Sequence, residues 1–351
     1  TKDIVGYGND NGGYYLIASP VGTVNPENVG NMTANAFDLY RFNQSADLEW
    51  ENWKDQDDGG YDLVSGKGYL YANSDDVTLT FTGTPVEGDT YEVTLTRDDN
   101  AEFAGWNLVG NPFTKTAYIQ GNQSFYTMNA DGSNLVASTS TSIEAMEGVF
   151  VIANTDGETL TFTTNAPNQG KKQIVLNVTQ GRGNVIDRAI VRFGQSDLLP
   201  KFMLNPNDSK VYIPMDGNNF AVMCSSNSSR LPVCFEPSED GTYFINVDIE
   251  NVAVRYLHLI DHEMGMDIDL LREPSYKFDA KAEGKPERFE LVVKTNFKQY
   301  KEAFSRGGDS DNFAFISNGE ILIDGEGTLQ VIDATGRVIH SGDAINHVST
   351  S

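Results

Sequence analysis

Gly105-Trp106-Asn107-Leu108-Val109-Gly110-Asn111-Pro112 decides the fold, because the chain has already used its pattern at Gly13-Tyr14-Tyr15-Leu16-Ile17-Ala18-Ser19-Pro20. Both copies run glycine, aromatic, one residue, two aliphatics, two small residues and proline. Each reads as a β-strand that stops where proline, lacking a backbone N–H, cannot continue the ladder. The correspondence then continues in order. Leu39-Tyr40-Arg41-Phe42-Asn43 returns as Phe125-Tyr126-Thr127-Met128-Asn129. Gly68-Tyr69-Leu70-Tyr71-Ala72-Asn73 and Thr78-Leu79-Thr80-Phe81 return near Val149-Phe150-Val151-Ile152-Ala153-Asn154 and Thr159-Leu160-Thr161-Phe162. The offset shrinks from 92 to 86 to 81 residues, so the losses fall in the joints between strands, where surface loops absorb them. Three matched blocks in one order predict an internal duplication.

Outward from these blocks, the whole chain reads as all-β. Aromatic and β-branched residues alternate between frequent Gly, Asn and Asp turn signals. Residues 1–168 are expected to form one internally duplicated sandwich or flattened barrel, with repeats at about 13–85 and 105–167, neither closing a core alone. Ala166-Pro167-Asn168-Gln169-Gly170 reads as a linker. Residues 169–297 carry eight or nine short alternating strands, the pattern of an immunoglobulin-like sandwich. They include a hairpin from Phe220 to Phe235 and a pair, Leu257 to Ile260 with Asp267 to Leu271, turning through Asp261–Met266. A second linker is expected at 298–311, followed by a short β segment over 312–351 that ends in a hairpin turning at Asp333–Gly336.

Composition excludes some partners. The 351 residues carry 25 Lys and Arg against 50 Asp and Glu, a formal charge of −25, with no basic run. Nucleic acid and anionic lipid would be repelled. No apolar run reaches membrane-spanning length. The opening Thr1-Lys2-Asp3 reads as a fragment or a processed form. Strand parity puts Cys224 and Cys234 on opposite faces, so both thiols are expected to be free.

Leu329-Gln330-Val331-Ile332-Asp333-Ala334-Thr335-Gly336-Arg337-Val338-Ile339 resembles the opening hairpin of the type IX secretion C-terminal sorting domain of Bacteroidetes surface proteins. Gly105–Pro112 and Gly66–Asn73 are similar to phrases that precede that domain in large secreted proteins. Tyr256-Leu257-His258-Leu259-Ile260-Asp261, with Tyr276–Ala280 and Arg288-Phe289, resembles the same group's β-sandwich. The resemblance implies export across the outer membrane, and display on the surface or release. Only the opening hairpin of that domain is matched, since twelve residues follow Ile339, which reads either as a truncated sorting domain or as a structural homologue of the hairpin without a sorting role.

Chemistry is sparse in the sequence. No Gly-x-Ser-x-Gly elbow occurs, and neither cysteine sits in a basic setting that would favour thiolate. Fifty carboxylates guarantee chance pairs, so pairing carries no information. His258 and His262 are four apart, but on a strand and turn rather than one helical face. Asp55, Asp57, Asp58 and Asp62 surround a Gly-Gly turn that could offer oxygens to calcium, as could Asn129-Ala130-Asp131-Gly132, without the bidentate Glu of an EF-hand loop. No metal or cofactor is assigned. Trp50, Trp53 and Tyr61 fall in a stretch, Asp47–Asp62, expected to be an insertion unique to the first repeat. They are either core or an exposed platform for a sugar ring. The preferred expectation is a non-catalytic, extracellular or outer-membrane-surface stalk or adhesion module of a larger secreted protein, its partner a host or bacterial surface glycan or protein. The alternative is a carbohydrate-binding accessory region of a secreted hydrolase, carried by those three rings.

Overall fold

The computed structural model describes residues 1–8, 13–33, 36–56, 60–168, 170–181, 183–194, 197–226, 228–295, 314–317, 320–323, 326–332, 338–345 and 348–349. The described elements are β-strands and two short 3-10 turns, Pro26–Asn28 and Trp53–Asp55. Two compact units result, Thr1–Lys294 and Thr295–Ser351.

The duplication is visible strand by strand. In the first repeat the sheet order is Tyr15–Ala18, Gly68–Asn73, Phe37–Phe42, Trp50–Asn52. In the second it is Trp106–Gly110, Gly148–Ile152, Tyr126–Met128, Leu135–Ala137. Registers correspond as well as order. Ala18 pairs with Gly68 as Gly110 pairs with Gly148, and Tyr40 with Leu70 as Tyr126 with Phe150. A second sheet backs each of these. In the second repeat it joins Ser142–Ile143, Ala117–Ile119, Thr159–Thr163 and Thr90–Thr94. In the first, Lys2–Ile4 pairs with Val77–Leu79, and the single bridges Gly30 to Thr80 and Val24 to Leu63 stand where full ladders stand in the second.

Two sequence expectations need correction here. Each repeat closes its own core: Ile17, Phe37, Leu39, Leu63, Tyr71 and Leu79 cluster in the first, and Val109, Phe125, Ile143, Val151, Leu160 and Phe162 in the second. The backing sheet gives each repeat a second layer of its own. Nor is Trp50–Asn52 part of an insertion. Phe42 pairs with Trp50 as Met128 pairs with Leu135, so it is the fourth strand of the repeat, and the extra length lies mainly in the connection after it.

A pseudo-twofold axis relates the repeats. Ile17 bridges to Glu147, and Val109, the equivalent of Ile17, bridges to Lys67, the equivalent of Glu147. The Ala18 N–H donates to the Met146 carbonyl at 3.1 Å, and the Gly110 N–H to the Gly66 carbonyl at 3.0 Å.

The third module is one eleven-stranded sheet wrapped around a single core. Its path runs Met266–Asp269, Val254–Asp261, Phe289–Thr295, Ser228–Glu236, Lys210–Met215, Asn218–Ser225, Val185–Phe193, Gln173–Gln180, Gly241–Glu250 and Ser275–Ala280, with Leu199–Pro200 attached to Asn218–Ser225. Phe278 on the last strand lies 4.9 Å from Phe289 and 5.5 Å from Phe235, both near the other end, so the sheet nearly closes. The expected Phe220–Phe235 hairpin does not form a ladder. Lys210–Met215 lies between its arms instead, pairing Val211 with Phe235 and Ile213 with Phe220, and so turns the corner between the two layers. Cys224 and Cys234 are free.

Phe202 locks the three modules together. Following Leu199–Pro200, it stacks on Trp106 at 4.4 Å and meets Phe150 at 5.1 Å, Phe103 at 5.6 Å and Phe42 at 6.3 Å. Val175, Ile190, Ala221 and Val222 of the third module complete this shared core. Thr1–Lys294 is therefore continuous across the linker expected at Ala166–Gly170.

In the second unit, Ala314–Ser317, Glu320–Ile323 and Val348–Ser349 form one sheet, and Glu326–Ile332 pairs with Val338–Ile345 as a hairpin. Its turn, Asp333–Gly336, and the expected linker at 298–311 lie outside the described residues.

Candidate functional site

The three aromatic residues singled out in the first repeat divide between two cores. Trp50 points to the shared core, edge-on to Phe42 at 5.2 Å and to Phe150 at 5.8 Å. Its equivalent in the second repeat, Leu135, is fully buried in that core, which accounts for an apolar residue at this register. Trp53 and Tyr61 sit together on the first repeat's own core. The indole N–H of Trp53 donates to the Tyr61 carbonyl at 3.0 Å, and its ring meets Phe37 at 5.7 Å. Beneath it, Gly60 has φ +90° and a Cβ there would lie 2.3 Å from the indole nitrogen, so glycine is required by both conformation and space.

Tyr61 is held on every side. Its ring stacks on Tyr69 at 5.9 Å, the Arg41 guanidinium lies 4.7 Å above it, and its hydroxyl meets the Glu51 and Leu39 carbonyls at 3.1 and 3.2 Å. Burial, and then the neighbouring Tyr69, push its phenol well above the ordinary value. Arg41 also pairs with Glu51. All three residues are half-buried. Chemically the arrangement offers a cation–π pair, an aromatic edge and the Asn43 and Glu51 side chains, joined at 3.0 Å.

The residues weighed as metal ligands are separated. His258 stacks on Tyr256 at 3.9 Å and bonds Asp267 through Nδ1 at 2.6 Å, while His262 lies 3.7 Å from Glu290. Asp57 and Asp58 lie outside the described residues, and Asp62 accepts from Asn25 at 3.1 Å. Asp131 accepts from the Ser133 N–H at 3.1 Å within its own turn. Among the described residues no three His, Cys, Asp or Glu side chains converge on one point.

Sequence reasoning missed a groove of about 990 Å³ in the third module, bordered by Phe235, Tyr276, Phe278, Met264 and Arg288. Arg288 forms its floor, donating to Asp261 at 2.7 Å and to the Asp279 carbonyl at 2.6 Å, while the Tyr276 hydroxyl reaches Asp261 at 2.9 Å. For Asp261, burial acts upward, but the bonds from Arg288, the Met264 N–H and Tyr276 outweigh it and hold the carboxyl below the usual range. The network ties the last strand of the path, Ser275–Ala280, to the end of the second, Val254–Asp261, through Arg288 at the start of the third. Asp261, Tyr276 and Arg288 all lie in the stretches that carry the sandwich resemblance, but isolated Asp and Arg residues give no periodic signal that they meet.

No family model, no curated protein and no solved structure matches this chain. Among the described residues no helix is long and apolar enough to cross a membrane.

Proposed function

We propose that this chain is a non-catalytic, β-rich stalk or adhesion module of a larger secreted protein, displayed at the outer-membrane surface through the type IX route. The observation that carries the reading is the insertion of Phe202 into rings of both repeats, which makes three β modules one continuous unit. A spacer needs joints that do not hinge, and a large shared apolar core supplies them where a flexible linker would not. The net charge of −25 supports it further, since it keeps a crowded surface protein soluble and unassociated. The sorting-domain resemblance of Leu329–Ile339 supports the route of export.

Antibody raised against the full chain tests this reading on intact producing cells. Labelling of unpermeabilised cells that disappears after brief surface proteolysis is expected. Labelling that requires permeabilisation overturns it.

A further inference from the structure

We propose that Lys201 and Asp187 condense into an intramolecular amide, a covalent brace between the strand Val185–Phe193 and the segment following Leu199–Pro200. The pair lies inside the third module where it meets the second repeat. Asp187 is 0% exposed and the Lys201 side chain 6%. The Lys201 Nζ contacts both carboxylate oxygens of Asp187.

The surroundings hold the two groups in reacting geometry. Tyr126, fully buried in the second repeat, donates its hydroxyl to the Pro200 carbonyl at 2.9 Å and accepts the Phe202 N–H at 3.0 Å. The Lys201 N–H itself donates to the Asn219 carbonyl at 2.8 Å. Backbone on both sides of Lys201 is thus pinned, which removes most of the entropy cost of bringing amine and carboxyl together. The Val211 N–H donates to Oδ2 of Asp187 at 2.6 Å, placed to stabilise the oxyanion that forms when nitrogen adds to Cγ.

Protonation favours the same step. Burial pushes the Asp187 carboxyl up and the Lys201 ammonium down, each against the attraction of its partner. A proton passing from Nζ to the carboxylate leaves a neutral amine beside a carboxylic acid, the uncharged pair that a desolvated site prefers. The amine lone pair then forms the Nζ–Cγ bond, the Cγ–O bond breaks, and oxygen leaves as water with one proton from nitrogen. Nothing is oxidised or reduced and no other reactant enters. Two buried charges are exchanged for one amide.

The test is the intact mass of the full chain, measured under denaturing conditions after incubation at neutral pH. A mass below that of the sequence by one water is expected, with proteolysis yielding one branched fragment that contains both Asp187 and Lys201. Lys201→Arg keeps the charge and should restore the full mass. Asp187→Asn should instead lose one ammonia. Should either variant fail to fold, the mass and fragment sequence of the unmutated chain decide alone. Full sequence mass, meaning a plain ion pair, or a deficit located elsewhere in the chain, overturns the proposal.

Discussion

Ala18 and Gly110 are equivalent residues of the two repeats, and they face each other across the pseudo-twofold axis. A Cβ on Gly110 would lie 2.3 Å from that of Ala18 and 2.6 Å from the Lys67 carbonyl oxygen. The repeats approach this closely because one of the two positions has no side chain. Gly110→Ala is expected to destabilise the protein by about 1–3 kcal/mol through overpacking against backbone. Gly241→Ala, whose nearest neighbour is the flexible end of Gln180 at 3.3 Å, should cost much less. Urea unfolding of the two variants provides the comparison.

Gln44 is a second tie between the repeats. Its Nε2 donates to the Thr96 carbonyl at 2.9 Å and the Trp106 carbonyl at 3.1 Å, and its Oε1 accepts the Gly105 N–H at 2.7 Å and the Asp98 N–H at 2.9 Å. Gln44→Ala strands these backbone groups, of which Gly105 is buried. A loss of about 2–3 kcal/mol is expected, measured by chemical denaturation.

Trp50 and Trp53 are expected to behave as packing residues. Trp50→Ala should cost about 2–4 kcal/mol, less than a fully buried tryptophan because the residue is half-buried. Trp53→Ala should fall in the same range and also release the Tyr61 carbonyl. A melting temperature unchanged by either substitution would show that the ring contributes to something other than the core.

Lys171 should give the protein an alkaline stability gradient. Its Nζ is buried without a hydrogen-bond partner among the described residues, 5.3 Å from the Phe125 ring. Burial, and then the charge of Arg192, lower its pKa from 10.5 to about 7, against the opposing pull of Asp197. Between those values the unfolded chain holds a proton that the folded one lacks. Stability therefore rises as pH climbs from about 7 towards 10.5, by at most about 1.4 kcal/mol per unit, and is flat in this contribution below 7. Lys171→Met should flatten the gradient relative to the unmutated protein and raise stability at pH 6. An unchanged gradient would mean the amine stays charged in the fold.

Much of the fold was legible because the information lay in local pattern. Gly105–Pro112 and its earlier copy mark strand, stop and equivalence at once, whereas the ladders set Gly68 equivalent to Gly148, one residue away from the sequence match at Val149. Partners were less legible than strands. Trp50-Glu51-Asn52 and Leu135-Val136-Ala137 share no residue, yet hold the same place because Phe37–Phe42 and Tyr126–Met128 set their register. Alternation in Phe220–Phe235 identifies two strands but cannot tell that Lys210–Met215 lies between them. Phe202, Asp187 and Lys201 sit outside any repeat, and their burial is a product of how the modules meet.

The pseudo-twofold contact between the repeats has the form of a homodimer interface carried on one polypeptide. A true dimer of single repeats would separate on dilution according to its dissociation constant. Here the connection of Thr80 to Thr90 fixes the local concentration of each half for the other, so their association is independent of how much protein is present. The two halves are thereby released from having to remain identical. Trp50 can differ from Leu135, and Gly110 from Ala18, without any requirement that the same change suit both sides of the axis.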